Sequence, residues 1–154
     1  MELKPVIIYT DGGCRNNQED TNIGGCAAIL MFNGRKKKVS KGYRNTTNNK
    51  MEIQAVIEGL KHMKRKDVPI KLYSDSSYVV NTISKGWLVN WAKNGWVKKD
   101  GKNVKNMEQW EELLQLIRSF DDFKIYKVKG HDVDILNNEV DDLVNKIMDK
   151  MENN

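Results

Sequence analysis

The sequence predicts an α/β fold in which a five-stranded mixed sheet carries helices on both faces. Three consecutive β-forming segments open the chain, and the tight-turn signal Asn33-Gly34 joins the second of them to the third. Two later β-forming segments alternate with stretches whose apolar residues recur at helical spacing. This order predicts an antiparallel meander extended by strands that are connected through helices. The 154 residues suit one domain with a buried core, which we expect over residues 1–154.

The first strand is predicted over residues 5–11, and a loop is predicted over residues 12–24. The strand is apolar until its last residues, which is typical of a central strand with both faces buried. Asp11 ends it, and the glycine pair Gly12-Gly13 that follows would let a ligand such as a phosphate backbone approach closely. The alternative is an ordinary Asp-Gly turn, which this motif alone leaves open.

Two more strands and a helix come next. The strands are predicted over residues 25–32 and 36–43. A helix is predicted from an Asn/Thr-rich segment that offers several N-caps to about Lys66, and its apolar stripe comprises Ala55, Val56, Gly59, Leu60 and Met63. Extended back by one turn, this stripe reaches Glu52, an unusual acid for a surface that faces the core. The alternative is an exposed first-turn acid that the helix dipole favours.

A second strand also ends in an aspartate. The fourth strand is predicted over residues 70–74, and Asp75 follows it directly, before a short helix. Because ligands bind at the carboxyl ends of strands in open sheets with helical connections, Asp75 is a candidate for the same site as Asp11. The alternative is that Asp75 or Ser76 only caps the helix.

Residues 86–106 place Trp87, Trp91 and Trp96 among lysines, asparagines and glycines. Aromatic rings interleaved with basic groups suit contact with a nucleic-acid backbone. Trp87 and Trp91 are four residues apart and share a helix face, so they could equally form a small local core. Asn106 is predicted to cap the next helix, which we interpret as structural.

The end of the chain supplies a histidine and a further acid. The fifth strand is predicted over residues 123–128, and His131 shortly after it is a candidate acid or base. An acidic loop then leads to the last helix, which is predicted from about residue 138. Asp141 borders the apolar stripe of this helix, whereas Asp142 lies on its solvent side. Helix geometry therefore favours Asp141 as an inward-facing carboxylate.

The formal net charge is +5, and the cations are clustered. One basic stretch without acids runs over residues 35–50, and another, interrupted only by Asp100, runs over residues 85–105. Such clusters favour a polyanion such as nucleic acid as partner, and a solvated lysine-rich surface is the alternative. The sequence has neither a ~20-residue membrane span nor a signal-peptide pattern, so we expect a cytoplasmic protein with no membrane contact. Cys14 and Cys26 are expected to be reduced thiols, with no zinc site.

Four acids at the ends of predicted elements could converge on one site: Asp11, Glu52, Asp75 and Asp141. Four carboxylates in one place repel one another and lose hydration, so they require cations. Oxygen ligands without cysteine or histidine select Mg²⁺ or Mn²⁺. Two such ions roughly 4 Å apart form the clamp that is used in phosphodiester chemistry.

The chain resembles the type 1 ribonuclease H family, in its cellular form, over about residues 4–150. The motifs that carry the resemblance are YTDGG at 9–13, TTNNKMEI at 46–53, SDSSYV at 74–79, GWLVNWAKNGW at 86–96, VKN at 104–106, VKGH at 128–131 and NNEVDDLV at 137–144. None of them is decisive alone, and their shared order makes them specific. The resemblance implies the ribonuclease H-like fold, one catalytic domain and no separate hybrid-binding domain.

The resemblance implies an endonuclease that hydrolyses the RNA strand of RNA–DNA hybrids and leaves 5′-phosphate and 3′-hydroxyl ends. The family's metal-binding carboxylates are matched by Asp11, Glu52, Asp75 and Asp141, and its mobile histidine, thought to aid proton transfer or product departure, by His131. In the expected mechanism Asp11 bridges two Mg²⁺ ions. Glu52 and Asp75 help the ion that positions the attacking water, and Asp141 helps the ion that stabilises the leaving 3′-oxygen. We expect the protein to act as a monomer.

The resemblance also implies contacts with the hybrid. Asn48 and Asn49 match residues that read the minor groove, where 2′-hydroxyls distinguish RNA from DNA. Thr47 and Asn106 match a pocket for a phosphate of the DNA strand. The channel along the DNA strand is matched by Trp87 and Trp91, and a basic protrusion by Lys93, Trp96, Lys98 and Lys99.

The chain departs from the family's pattern in three places. Ser77 stands where several members have a longer glutamine, Asn45 stands where many have an arginine, and residues 14–24 form a longer loop. These differences bear on substrate affinity rather than on the chemistry. Two other functions are weighed against hybrid cleavage: a catalytically silent hybrid-binding module and a DNA nuclease of the same general fold. The repelling acids argue against the first, and the Asn48-Asn49 pair with the Trp/Lys segment argues against the second.

Overall fold

The computed structural model describes residues 4–15, 22–128 and 134–153. The strands in these ranges are β1 (Val6–Arg15), β2 (Ile23–Phe32), β3 (Arg35–Arg44), β4 (Ile70–Ser74) and β5 (Phe123–Lys127). They form one sheet in the order β3-β2-β1-β4-β5. The first three strands are antiparallel, and β4 and β5 continue the sheet in parallel with β1. The predicted five-stranded mixed sheet is confirmed, with β1 at its centre.

The helices in the same ranges are α1 (Asn48–Lys61), α2 (Ser77–Ser84), α3 (Trp87–Lys93), α4 (Met107–Arg118) and α5 (Ile135–Glu152). Side chains alternate across a strand, so neighbouring residues of β1 reveal what covers each face. Ile8 belongs to the core that contains α1 and α4, whereas Tyr9 belongs to the core that contains α5. Helices therefore cover both faces of the sheet, as predicted. None of the helices in the described ranges combines the length and the apolar character that a bilayer span requires.

Within the loop expected over residues 12–24, residues 12–15 and 23–24 belong to strands, and residues 16–21 lie outside the described residues. The antiparallel ladder of β1 and β2 continues past Asp11 as far as the pair Arg15↔Ile23. It continues because ladder hydrogen bonds are made by the main chain, so the glycines in this region do not interrupt it. The continuation keeps Asp11 inside a paired strand instead of at its frayed end.

Two helix ends also differ from the prediction. Helix α1 ends at Lys61 rather than near Lys66, and the backbone N–H of His62 bonds back to the carbonyl of Gly59. Helix α5 begins at Ile135 rather than near residue 138, because the Asp134 carboxylate accepts a hydrogen bond from the N–H of Asn137 and caps it. The acidic loop before α5 is correspondingly shorter than expected.

The two faces of the sheet have cores of different sizes. On the α1 side, Ile53, Ile57 and Trp110 are completely buried among side chains of the sheet and of α4. On the α5 side, a smaller apolar group forms around Val140 and Val144. Both cores pack against the sheet that carries Asp11 in β1 and leads to Asp75 directly after β4.

Candidate active site

Carboxylate oxygens of Asp11, Glu52 and Asp75, which we call the acidic cluster, lie within 4.8 Å of one another. Asp11 is buried, Glu52 is half-buried and Asp75 is exposed, so the cluster opens to solvent on one side. The three residues are far apart in the sequence and come from β1, from α1 and from the turn after β4. The structure thus brings together three of the four acids that the sequence analysis selected.

Strand pairing places Asp11 beside Asp75. Strand β4 runs parallel to β1 with Ser74 opposite Thr10, so Asp75, the first residue after β4, lies beside Asp11, the next residue of β1. Asp75 does not cap α2, because the Ser76 hydroxyl accepts the hydrogen bond from the N–H of Val79 at 3.2 Å. The alternative in which Asp75 is only an N-cap is therefore wrong.

Gly12 brings Glu52 to the other two acids. A Cβ atom on Gly12 would lie 2.3 Å from the carbonyl carbon of Met51 and 2.6 Å from the backbone nitrogen of Glu52. The backbones of β1 and α1 touch here, and any residue larger than glycine would push α1 away. A Cβ atom on Gly13 would make only ordinary contacts of 3.7 Å with side chains of α5. The prediction that the two glycines admit a phosphate backbone is therefore wrong.

The fourth acid, Asp141, lies on α5 close enough to the Asp11 carboxyl group to raise its pKa. Both Asp141 and its neighbour Asp142 are exposed, but it is Asp141 that approaches Asp11. Asn145, one turn further along α5, donates from its side-chain amide to the backbone oxygen of Asp141 at 3.1 Å. The choice of Asp141 over Asp142 agrees with this arrangement.

Burial and mutual repulsion act together on the cluster. Burial raises the pKa of Asp11 far above its ordinary value of 3.8, and the nearby carboxylates of Asp75 and Asp141 raise it further. Burial also raises the pKa of Glu52 above 4.5, followed by the charges of Asp11 and Asp75. The N–H of Gly12 favours the charged form of both side chains but is outweighed. The metal-free cluster therefore retains protons that ordinary carboxyls would lose.

An oxygen of Glu52 shows what the site lacks. Its Oε1 is buried and has no hydrogen-bond partner among the described residues. A buried acceptor without a partner is costly, and a bound cation would satisfy it. The ligand atoms of the cluster are all carboxylate oxygens, which are the ligands that hard divalent cations prefer. The residues present therefore fit a metal such as Mg²⁺ or Mn²⁺.

Two residues of β1 that the sequence analysis did not select connect this strand to α5. The hydroxyl of Tyr9 donates to Asp134 at 2.5 Å, and the guanidinium of Arg15 donates to Asp149 at 2.7 Å. Burial raises the pKa of Tyr9, which keeps its hydroxyl protonated and able to donate. The available signal was alternation along the strand, because Tyr9 and Asp11 are two residues apart and share a face.

The residues expected to read the hybrid lie at the start of α1. Asn48 and Asn49 form its first turn, and both are exposed. Thr47 is the N-cap, and its hydroxyl accepts a hydrogen bond from the N–H of Lys50 at 3.1 Å. Asn106 stands at the N-cap position of α4, as predicted, but its side chain makes no capping hydrogen bond. With Lys50, Met107, Glu108 and Gln109 it lines an open cavity of about 420 Å³.

The tryptophans divide between surface and core. Trp87 is exposed, with the Lys85 ammonium 5.6 Å from its ring centre. Trp91 is half-buried and packs edge-on against Trp110, with ring centres 6.3 Å apart, so it belongs in part to the core. Both rings line an open cavity of about 440 Å³ that also includes Lys99. This segment therefore offers an aromatic and basic surface next to the core.

The remaining predicted contacts lie in or near the turn after α3. Lys93 ends α3 and Lys98 and Lys99 follow it, while Trp96 packs partly against the core. The backbone pairs at Val97↔Asn103, so this segment is a short hairpin. His131, the candidate acid or base, lies outside the described residues.

Comparison with known proteins gives consistent matches along the whole chain. The sequence model of the RNase H family matches residues 3–149. The ribonuclease H of Clostridium botulinum (strain Hall) is 46% identical over 148 residues, which cover 96% of this chain and 98% of that protein. The ribonuclease H of Caldicellulosiruptor saccharolyticus is 43% identical over 150 residues, which cover 97% of this chain and 99% of that protein.

A solved structure shares the architecture. LC9-RNase H1, a type 1 RNase H with the type 2 active-site motif, superposes with a TM-score of 0.76 at 25% identity. The match covers 95% of this chain and 72% of that chain. The order of strands and helices described above is therefore shared with a protein of known structure.

Proposed function

The chain belongs to the ribonuclease H family, and we propose that the acidic cluster and Asp141 form the centre at which it cleaves RNA. As a ribonuclease H, the enzyme hydrolyses the RNA strand of RNA–DNA hybrids. The observation that carries the proposed site is the buried oxygen of Glu52, which lies beside two further carboxylates and has no hydrogen-bond partner within the described ranges. Such a group has no structural use without a cation and a clear use with one.

The metal of the proposed site is Mg²⁺, two ions per site, with Mn²⁺ as a substitute. Bound there, divalent cations would activate water and stabilise the charge that develops on the phosphate and on the leaving oxygen. Asp11 is the central ligand, because it contacts both the acids on its α1 side and Asp141 on α5. Glu52 and Asp75 hold one side of the site and Asp141 holds the other. His131 remains a candidate for proton transfer.

The proposed substrate surface extends from the acidic cluster in two directions. Asn48 and Asn49 present exposed amides that can donate to and accept from 2′-hydroxyls and base edges in a minor groove. Asn106, whose amide is free of capping, and Thr47 would hold a phosphate of the DNA strand. The basic hairpin and the tryptophan surface would follow the backbone of that strand. The surface has the chemistry of a duplex-binding face.

One chain supplies every ligand of the proposed site, so we infer that a monomer is sufficient for activity. We also propose that the enzyme works in the cytoplasm, where its free thiols Cys14 and Cys26 would stay reduced. Sedimentation of the purified protein at assay concentration and fractionation of cells test these two inferences. A dimer, or activity confined to another compartment, would contradict them.

A cleavage assay on three labelled duplexes tests the proposed function. RNA–DNA hybrid, RNA duplex and DNA duplex of the same sequence are incubated with the enzyme in Mg²⁺ or in EDTA. We expect cleavage of the hybrid alone, on its RNA strand alone, and only with metal. Equal cleavage of the DNA duplex would indicate a DNA nuclease of the same fold. Binding of the hybrid without cleavage in Mg²⁺ would indicate a silent binding module.

A further inference from the structure

Two polar connections join β1 to α5, one on each side of the neighbouring acids Asp11 and Asp141. We propose that Tyr9 and Arg15 are positioning residues, which hold Asp141 beside Asp11 and so set the affinity of the site for a divalent cation. The inference rests on the proposed function, because it assigns a purpose to residues around the proposed metal ligands. It also adds two residues that touch neither metal nor substrate.

The first connection runs from Tyr9 to the start of α5. The Tyr9 hydroxyl donates to Oδ2 of Asp134 at 2.5 Å. The other oxygen of the same carboxylate accepts the N–H of Asn137 and so caps α5. Tyr9 precedes Asp11 by two residues on the same face of β1, and Asp134 precedes Asp141 by two helical turns. One hydrogen bond therefore ties the strand that carries Asp11 to the helix that carries Asp141.

Stacking fixes the direction of the Tyr9 hydroxyl. The Tyr9 ring lies parallel to that of Tyr73 on β4, with ring centres 4.9 Å apart and planes 14° apart. Tyr73 stacks in turn on Tyr126 of β5, at 5.4 Å. Tyr9 is only 8% exposed, so its ring has little freedom to turn. The hydroxyl is presented to Asp134 by the sheet itself, without a flexible side chain between them.

The second connection runs from Arg15 to Asp141 through Asn145. The Arg15 guanidinium donates to the amide oxygen of Asn145 at 3.0 Å and to Asp149 at 2.7 Å. The amide nitrogen of Asn145 then donates to the backbone oxygen of Asp141 at 3.1 Å and lies 3.5 Å from its carboxylate. Both polar ends of the Asn145 amide are used, because its oxygen accepts from the Arg15 guanidinium and its nitrogen donates to Asp141.

The site needs such connections because its carboxylates repel one another before a cation arrives. The apolar residues of α5 hold the helix against the sheet. Because apolar contacts are not directional, they allow the helix to slide along its axis or to rotate by a small amount. A hydrogen bond before Asp141 and another after it remove both freedoms. A ligand held in place loses less entropy when the metal binds, so the affinity is higher. The Tyr9 bond is the more buried, and we expect it to contribute more than the exposed Arg15 pair.

The experiment compares two variants that each delete one tyrosine hydroxyl from the same stack. Tyr9→Phe removes the hydroxyl that reaches Asp134, and Tyr73→Phe removes one that has no hydrogen bond to a described residue. Binding of Mn²⁺ to the full chain is measured by titration calorimetry, and unfolding in EDTA is followed in parallel. We expect Tyr9→Phe to weaken Mn²⁺ binding by roughly threefold to tenfold, because one hydrogen bond is lost. Tyr73→Phe should leave Mn²⁺ binding unchanged.

A double-mutant cycle distinguishes positioning from general loss of structure. Asp134→Ala should weaken Mn²⁺ binding, and combining it with Tyr9→Phe should add little, because both changes remove the same bond. Asp134→Asn should restore the affinity, since its amide oxygen can accept from the N–H of Asn137 while its amide nitrogen donates to the hydroxyl oxygen of Tyr9. Arg15→Gln, on the exposed side, should weaken Mn²⁺ binding by less than Tyr9→Phe.

Equal Mn²⁺ affinity of Tyr9→Phe and the wild type would overturn the inference, as would an equal loss in Tyr73→Phe. If the hybrid is still cleaved in a metal-dependent way, the proposed function survives either result. If the wild type neither binds Mn²⁺ nor cleaves hybrid, the proposed function itself fails. The two failures are therefore distinguishable in the same set of samples.

Discussion

The two faces of the sheet hold the proposed catalytic acids by different means. On the α1 face, Glu52 is placed by shape, because the backbones of β1 and α1 touch at Gly12 above a large apolar core. On the α5 face, Asp141 is placed by polar contacts beside a smaller core, through Tyr9 and Arg15. The first arrangement fails when volume is added, and the second fails when a donor is removed.

The two halves of the site are therefore sensitive to different kinds of substitution. A contact between two backbones cannot be weakened gradually, because there is no room between them for even one methyl group. A hydrogen-bond connection weakens gradually, because the helix stays docked through its apolar residues. We therefore expect changes on the α1 face to abolish activity and changes on the α5 face to reduce it.

The largest effect is expected for Gly12→Ala. Its methyl group would overlap with the backbone of Met51 and Glu52, so α1 must move and carry Glu52 away from the cluster. We expect a loss of about 3 kcal/mol in the free energy of unfolding, together with loss of hybrid cleavage. Urea unfolding and the cleavage assay measure both quantities.

Gly13→Ala is the matched control, because its methyl group would meet only side chains of α5 at 3.7 Å. We expect this variant to unfold within roughly 1 kcal/mol of the wild type and to keep its activity. If the two glycine variants behave alike, Glu52 is not placed by the contact at Gly12.

The next effect is a dependence of stability on pH in the metal-free protein. Asp11 and Glu52 have raised pKa values in the folded chain, so the folded state binds protons more tightly than the unfolded state. Their stabilising contribution is complete below the ordinary values of 3.8 and 4.5 and is lost as pH rises through the higher folded-state values. We expect unfolding in EDTA to become easier from about pH 5 to about pH 9, and Mg²⁺ to reverse the trend.

Glu52→Gln sharpens this test because it removes one of the two titrating groups and keeps the shape. In EDTA at alkaline pH the variant should be more stable than the wild type by about 1–2 kcal/mol, with a flatter pH dependence. It should also be inactive on hybrid. If the variant is instead less stable than the wild type at alkaline pH, burial of the Glu52 charge does not destabilise the folded protein.

The smallest effect on stability is expected for Arg15→Ala. The side chains of its partners Asp149 and Glu152 are 59% and 44% exposed, so salt and water screen these ion pairs. We expect a loss of less than about 1 kcal/mol at low salt and almost none at high salt. A loss that persists in high salt would mean that Arg15 contributes to the packing of α5 and not only to its charge balance.

Much of this architecture was predictable because local signals agreed with the global fold. The Asn33-Gly34 turn, the apolar stripe of α1 and Asp75 directly after β4 each indicated their elements, and the structure has them. The extent of β1 was not predictable from composition, because glycines in a ladder look like a loop until their partners on β2 are known.

The contacts that complete the site are distant in sequence, and no local pattern encodes them. Tyr9 and Asp134 are 125 residues apart, and Arg15 and Asn145 are 130 apart. Such pairs follow from the register of the sheet and the rotation of the helices, which only the assembled fold determines.

The most direct test of the proposed active site is hybrid cleavage by Asp11→Asn in Mg²⁺, compared with cleavage by Asp142→Asn. Asp11 is the acid that both faces of the sheet are arranged around, whereas Asp142 is an exposed acid next to Asp141. We expect Asp11→Asn to lower the rate of hybrid cleavage by about a hundredfold or more, and Asp142→Asn to keep that rate near the wild-type value. Near-wild-type cleavage by Asp11→Asn would contradict the assignment of the acidic cluster as the active site.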